Sequence, residues 1–239
     1  MDKIRVGIFN LSSCEGCLVQ ILNLEDTLLN ILKTFEVESR VLGTLGKSEP
    51  YDIAFVEGSV MSIEDEIELK KVRGASKILV ALGECACHGG NFLVKDFDVG
   101  EINEMFPGSE KWYSHPLDRY VRVDYRIPGC PIDKEEFFAV FKSLLLEKFP
   151  EQASSTVCSE CILKENSCLI EKGLACMGPI TRGGCKSICP TFNRECYGCR
   201  GLSDDANIEG LLHTFKEKNI SVQPYMLPPK KGEVKKLES

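Results

Sequence analysis

The stretch "IRVGIFNLSSCEGC", residues 4–17, decides the fold. An apolar run over 4–11 has the pattern of a strand and ends in a small-residue loop that carries two thiols, Cys14 and Cys17. The arrangement recurs twice. "KILVALG" (77–83) is a continuous apolar strand followed by Cys85, and the strand ending near 120–127 in "YVRVDYRIPGC" is followed by Cys130. Glycines in each loop (Gly16, Gly83, Gly129) allow a tight turn or close approach to a bulky group. Between the runs, 18–35 has helical spacing at Leu18, Ile21, Leu22, Leu28, Leu29 and Leu32. Residues 62–74 read as a charged helix with a glycine stop, and 133–149 as an amphipathic helix. Further strands are expected at 37–42 and 52–58. Strands alternating with helices argue for a parallel sheet covered on both faces. The carboxyl ends of such strands share one edge, where ligands bind, so the three cysteine loops are expected to meet there.

After about residue 150 this alternation fades and cysteine, glycine and proline take over. We divide the chain into a domain over 1–150 and a cysteine-rich domain over 151–239. Residues 158–199 hold eight cysteines and no histidine. The apolar core of this part looks thin, and metal ligation would supply the missing stability. Its thiols sort into two groups of four, each with one C-x-x-C pair: Cys158, Cys161, Cys168 and Cys176, then Cys185, Cys189, Cys196 and Cys199.

Composition narrows the use of these thiols. The 239 residues are 43% hydrophobic with charges spread throughout, and no apolar run reaches the length of a membrane span. The start, "MDKIRVGIFN", shows neither a signal peptide nor a twin-arginine leader, so a cytoplasmic protein is expected. In a reducing compartment clustered cysteines more often bind metal than form disulfides, and the odd total of 13 argues against a simple disulfide framework. A net charge of −7 disfavours nucleic acid as the main partner.

Four thiolates suit a structural zinc or a [4Fe–4S] cluster, and spacing within the tail leaves both open. Redox thiol chemistry would not use twelve. The set Cys14, Cys17, Cys85 and Cys130 favours iron–sulfur: one close pair and two distant single thiols converge from separate loops, as around a larger cofactor. Cys130-Pro131 and Cys189-Pro190 add a weaker cue, since "CP" recurs around iron–sulfur ligands. Three clusters without an evident substrate site read most simply as an electron wire whose source and sink lie on other chains.

Taken together, "SSCEGC", "VEGSV", "ALGECACHGG", "IPGCP" and "CMGPITRGGC" followed by "CYGC" resemble the small subunit of [NiFe]-hydrogenases, in order and over nearly the whole chain. The likeness is greatest to the cytoplasmic multi-subunit group: the NADP-linked sulfhydrogenases and the methanogen enzymes linked to heterodisulfide reductase or coenzyme F420. The resemblance implies a flavodoxin-like, doubly wound α/β domain followed by a small irregular cluster domain. It implies three [4Fe–4S] clusters. Cys14, Cys17, Cys85 and Cys130 would hold the proximal one, and Cys158, Cys161, Cys168 and Cys176 the distal one. Cys185, Cys196 and Cys199 would hold the medial one, with Cys189 as a fourth ligand. Periplasmic members of the family carry a histidine where Cys158 stands. The expected partners are a large subunit that holds the nickel–iron site and an electron-accepting iron–sulfur or flavin subunit. With three oxidised clusters the net charge would be roughly −13, a reason to expect a partner over the cluster edge.

Several neighbours have a plainer reading. Cys87 is expected to be a small buried hydrophobe beside the ligand Cys85. His88 suits either a hydrogen bond to a cluster sulfur or ordinary packing. Glu57 suits a proton-relay role near the proximal site or a cap, and Glu15 faces an interface or solvent. Two other functions are weighed. A quinone-reducing complex I-type subunit would normally have adjacent cysteines in the first motif and no cysteine-rich tail. A zinc-stabilised interaction module fits the acidic balance poorly.

Overall fold

A computed structural model describes residues 4–39, 50–90 and 114–222. Five strands form one parallel sheet: β1 (Arg5–Asn10), β2 (Glu36–Ser39), β3 (Tyr51–Glu57), β4 (Ser76–Leu82) and β5 (Tyr125–Ile127). Their order is β2-β1-β3-β4-β5, the doubly wound order of flavodoxin-like folds. The two central strands are apolar on both faces. Ile53 and Phe55 of β3 and Val80 and Leu82 of β4 join one core cluster, while Ala54, Val56, Leu79 and Ala81 join another. This is the alternation of a sheet buried on both sides.

On the first face lie α1 (Gly16–Leu22), α2 (Asp26–Thr34) and α5 (Lys134–Leu145). Phe55 is fully buried there against Phe137 and Phe141, at ring separations of 5.0 and 5.9 Å. The second face is covered by α3 (Ile63–Gly74), through Leu69 and Val72, and by α4 (Gly83–His88), through Ala86 and Cys87. Helix α3 starts with a reciprocal capping box between Ser62 and Asp65.

Two sequence expectations change in detail. The helix expected over 18–35 is two helices. The chain turns at Asn23–Glu25, with Glu25 at φ 51°, and Lys134 Nζ donates to the Asn23 carbonyl at 3.0 Å. The strand expected near 120–127 pairs only from Tyr125. Its start is set by Asp124, whose side chain accepts from the Leu79 N–H at 2.9 Å where a strand would offer a carbonyl. The strand expected at 37–42 is β2; residues 40–42 lie outside the described residues.

The tail is less irregular than expected. Helices α6 (Val157–Leu163), α7 (Ile188–Thr191) and α8 (Ile208–Glu217) belong to it. Val157, Leu169, Ile170, Met177, Ile180, Leu211, Phe215 and Ile220 form a buried cluster with Cys176 and Cys196. The thin core expected from the sequence is therefore thicker, because α8, formed after the last cysteine, turns Leu211 and Phe215 inward.

Candidate metal centres

The first cysteine loop leaves the carboxyl end of β1 and enters α1. Glu15, at the N-cap position with φ 61°, makes no side-chain cap. The cap comes instead from Glu57, the last residue of β3, whose carboxylate accepts from the N–H groups of Cys17 and Leu18 at 3.1 Å each. Of the two readings of Glu57, the cap is the one made in the structure. The next residue, Gly58, has φ 95°, and a Cβ there would press on the Leu11 and Ser12 backbone at 2.9 Å. The loop after β3 thereby closes against the loop that bears Cys14 and Cys17.

Cys14, Cys17, Cys85 and Cys130 come together at this edge. Burial raises Cys17, Glu57 adds to it, and the Cys130 and Cys85 thiolates raise it further. Burial likewise lifts Cys85 to about 11, with Cys130 and Cys14 contributing. Burial also raises Cys130, with Cys14 the next contributor. Electrostatic coupling of this kind places the thiols near one another at the sheet edge. Gly83 has φ 81° and lies so close to Cys17 Sγ that a Cβ would overlap it. A site of thiols that resist ionisation alone suits a cationic group, which supplies the compensating charge.

Cys87 points the other way. It is 4% exposed, and its Sγ meets the Ala81 carbonyl at 3.6 Å, within the core of the opposite face. It behaves as the small hydrophobe the sequence suggested. His88 Nδ1 bonds Glu84 at 2.8 Å, and its ring packs on Gly201 of the tail, where a Cβ would meet Nε2 at 2.5 Å.

In the tail, Cys158, Cys161, Cys168 and Cys176 form a second group. Burial raises Cys158 to about 12, with Cys176, Cys161 and Cys168 adding to it. A Cβ on Gly178 would stand 3.3 Å from Cys158 Sγ and 3.5 Å from Cys176 Sγ, so this glycine also clears space at sulfur.

The remaining four are less uniform. Burial raises Cys196 to about 12, with smaller contributions from Cys176 and Cys185; burial raises Cys199, and Cys196 adds to it. The charge of Cys189 is felt at Cys130, in the first group. Burial raises Cys189 itself, and Arg194 partly offsets that. The electrostatics thus couple Cys196 to Cys185 and to Cys199, and couple both Cys189 and Cys199 to Cys130 of the first group.

The groups also adjoin in a fixed sequence. Cys130 lies near enough to Cys199 for its N–H and its thiolate both to act on the Cys199 thiol, which sets the first group beside the third. The Cys196 N–H donates to Cys176 Sγ at 3.4 Å, which joins the third to the second. Among the described residues no three thiol, imidazole or carboxylate groups gather closely enough to hold one metal ion. On a cubane each of four thiolates binds its own iron, and the donor sets and the glycine clearances suit such a group.

Two side chains near these groups carry no sequence signal beyond position. Glu160, inside the C-x-x-C of Cys158 and Cys161, accepts from Gly184 N at 2.6 Å and Ser187 N at 2.8 Å. Arg200 follows Cys199 directly and is 2% exposed. An ionisable residue beside a ligand cysteine is the only sequence clue to either.

Known proteins resemble this chain over most of its length. Residues 14–144 match the family described as NADH ubiquinone oxidoreductase, 20 Kd subunit. Sulfhydrogenase 2 subunit delta of Pyrococcus furiosus is 37% identical over 220 residues, covering 90% of this chain and 93% of its own. The chain belongs to this family, as one of its hydrogenase subunits. A subunit of the vhu F420-non-reducing hydrogenase of Methanocaldococcus jannaschii is 31% identical, with 84% of this chain and 83% of that one covered. A chain in the crystal structure of an NAD+-reducing [NiFe]-hydrogenase in the H2-reduced state superposes with a TM-score of 0.55 at 29% identity. It covers 63% of this hydrogenase subunit and 95% of itself. The Pyrococcus match, at 90% of the chain, necessarily extends into the cysteine-rich tail.

Proposed function

We propose that this chain is the iron–sulfur electron-transfer subunit of a [NiFe]-hydrogenase, residing in the cytoplasm. Cys14, Cys17, Cys85 and Cys130 would hold a proximal [4Fe–4S] cluster, facing a large subunit with the nickel–iron site. Cys185, Cys189, Cys196 and Cys199 would hold a medial cluster, and Cys158, Cys161, Cys168 and Cys176 a distal one, facing an acceptor iron–sulfur or flavin subunit. Such clusters supply reversible one-electron transfer.

The observation that carries this reading is the adjacency of the three thiol groups, first to third through Cys130 and Cys199, third to second through Cys196 and Cys176. An unbroken row is what a relay requires. The chain's own residues would supply the tuning. The N–H of Cys196 donates to Cys176 Sγ, and such a bond favours added negative charge. The division at about residue 150 belongs to the same proposal. The apolar clusters of the sheet end at Leu144, that of the tail begins at Val157, and they share no residue.

The matched family's description favours one competing reading, a complex I-type quinone reductase subunit. The "CEGC" motif, the eight tail cysteines and the hydrogenase relatives along the length of the chain weigh against it. The test is optical. The anaerobically purified complex should be brown and should bleach under H2 alone. A brown complex that bleaches only with other reductants would reject the hydrogenase role; a colourless one with bound zinc would reject the clusters.

A further inference from the structure

A buried guanidinium must place its donors, and Arg200 does so on two separate cysteine loops. Its Nε donates to the Gly183 carbonyl at 2.6 Å, and its Nη1 donates to the Pro128 carbonyl at 2.7 Å. Gly183 stands two residues before Cys185, and Pro128 two residues before Cys130. The Glu136 carboxylate, on α5, accepts from Nη1 at 2.8 Å and from Nη2 at 2.7 Å in a bidentate pair. Arg200 is itself joined to Cys199, so one side chain spans three of the thiols named above. Burial acts to lower its pKa, but Glu136 and the nearby Cys185 and Cys199 thiolates raise it overall, and the charge is permanent.

We propose that Arg200, held by Glu136, is a positioning residue that locks the Cys130 and Cys185 loops together and fixes a positive charge beside Cys185 and Cys199. The inference rests on the reading that Cys185, Cys196 and Cys199 hold a cluster. A fixed cation in a partly desolvated site favours the reduced state of such a group, since reduction adds negative charge. Glu136 offsets part of that field. The two partners of one ion pair therefore pull the potential in opposite directions, whereas a purely structural pair would act alike when either side is removed.

The test uses the purified hydrogenase complex carrying Arg200→Gln, Arg200→Lys or Glu136→Gln. The readouts are iron per chain and an EPR-monitored redox titration of the signal that disappears in Cys196→Ser. Arg200→Gln should shift that potential downward and Glu136→Gln upward, with Arg200→Lys between wild type and Arg200→Gln. If Arg200→Gln loses its iron through misfolding, the upward shift in Glu136→Gln decides. Shifts of the same sign in both, or no shift in Glu136→Gln, would overturn the proposal. No signal sensitive to Cys196→Ser in the unaltered complex would overturn the cluster assignment beneath it.

Discussion

Cys85 and Cys87 sit two residues apart on α4 and lie in different surroundings. Cys85 shares its space with Cys14 and Cys130, while Cys87 lies in the core against the Ala81 carbonyl. Cys85→Ser should therefore remove the proximal cluster and abolish H2-driven reduction of acceptors. Cys87→Ser should keep both, at a stability cost of about 1 kcal/mol, because a hydroxyl can still donate to Ala81. EPR and acceptor assays on the two variants check this, and reversed phenotypes would move the ligand to Cys87. Gly83→Ala should resemble Cys85→Ser more than Cys87→Ser, since its new Cβ would displace Cys17 Sγ at a backbone of φ 81°; iron content per chain decides. The gathering of Cys14, Cys17, Cys85 and Cys130 at one sheet edge was legible in the sequence because each follows a recognisable strand. Arg200 and Glu136 were not. Their pairing joins positions 64 residues apart, and neither residue type is unusual in its own segment.

Elements rather than single residues hold the cysteine loops in place, and two carboxylates show how. Glu57 belongs to β3 yet caps α1 across 40 residues of sequence. Glu57→Ala should leave two buried N–H groups unpartnered and lower stability by about 1–3 kcal/mol, with Glu57→Gln losing less. Thermal unfolding of the purified variants measures this; equal stability of all three would mean that water replaces the cap. Asp124 joins three elements. It accepts from Leu79 N of β4 at 2.9 Å and from Arg73 Nη1 of α3 at 2.5 Å, and it starts β5. Burial acts to raise its pKa, but the Leu79 N–H and Arg73 overcome this and the net shift is downward. A carboxylate depressed in the folded state stabilises above its unfolded pKa and loses that contribution as pH falls through the folded value. The stability deficit of Asp124→Asn should thus be constant between about pH 6 and 8 and shrink only below about pH 4. A deficit that changes across neutrality would assign the effect to another group. The strands were legible from apolar runs, and their doubly wound order was implied only by the family resemblance. The break at Asn23–Glu25 was not legible, because 18–35 keeps its apolar stripe on both sides of the turn and only the local backbone differs.

At the scale of the whole molecule, the sheet and the tail meet through the cysteine groups, at Cys130 with Cys199, at His88 with Gly201 and at Arg200 with Glu136. The tail was the least legible part, since cysteines and glycines mask the apolar positions that α8 completes after Cys199. Cys189 is coupled electrostatically to Cys130 of the first group although the sequence groups it with the tail thiols. If it closes the medial group, Cys189→Ala should convert that cluster alone to a three-iron form, visible by EPR, with H2 oxidation partly retained. Unchanged four-iron signals at full stoichiometry would exclude it as a ligand. The central claim is that all three groups are loaded at once in one chain. Chemical iron and acid-labile sulfide on the anaerobically purified or reconstituted protein test it most directly. Three four-iron clusters give about twelve of each per chain; a value of about four would leave a single cluster and contradict the relay.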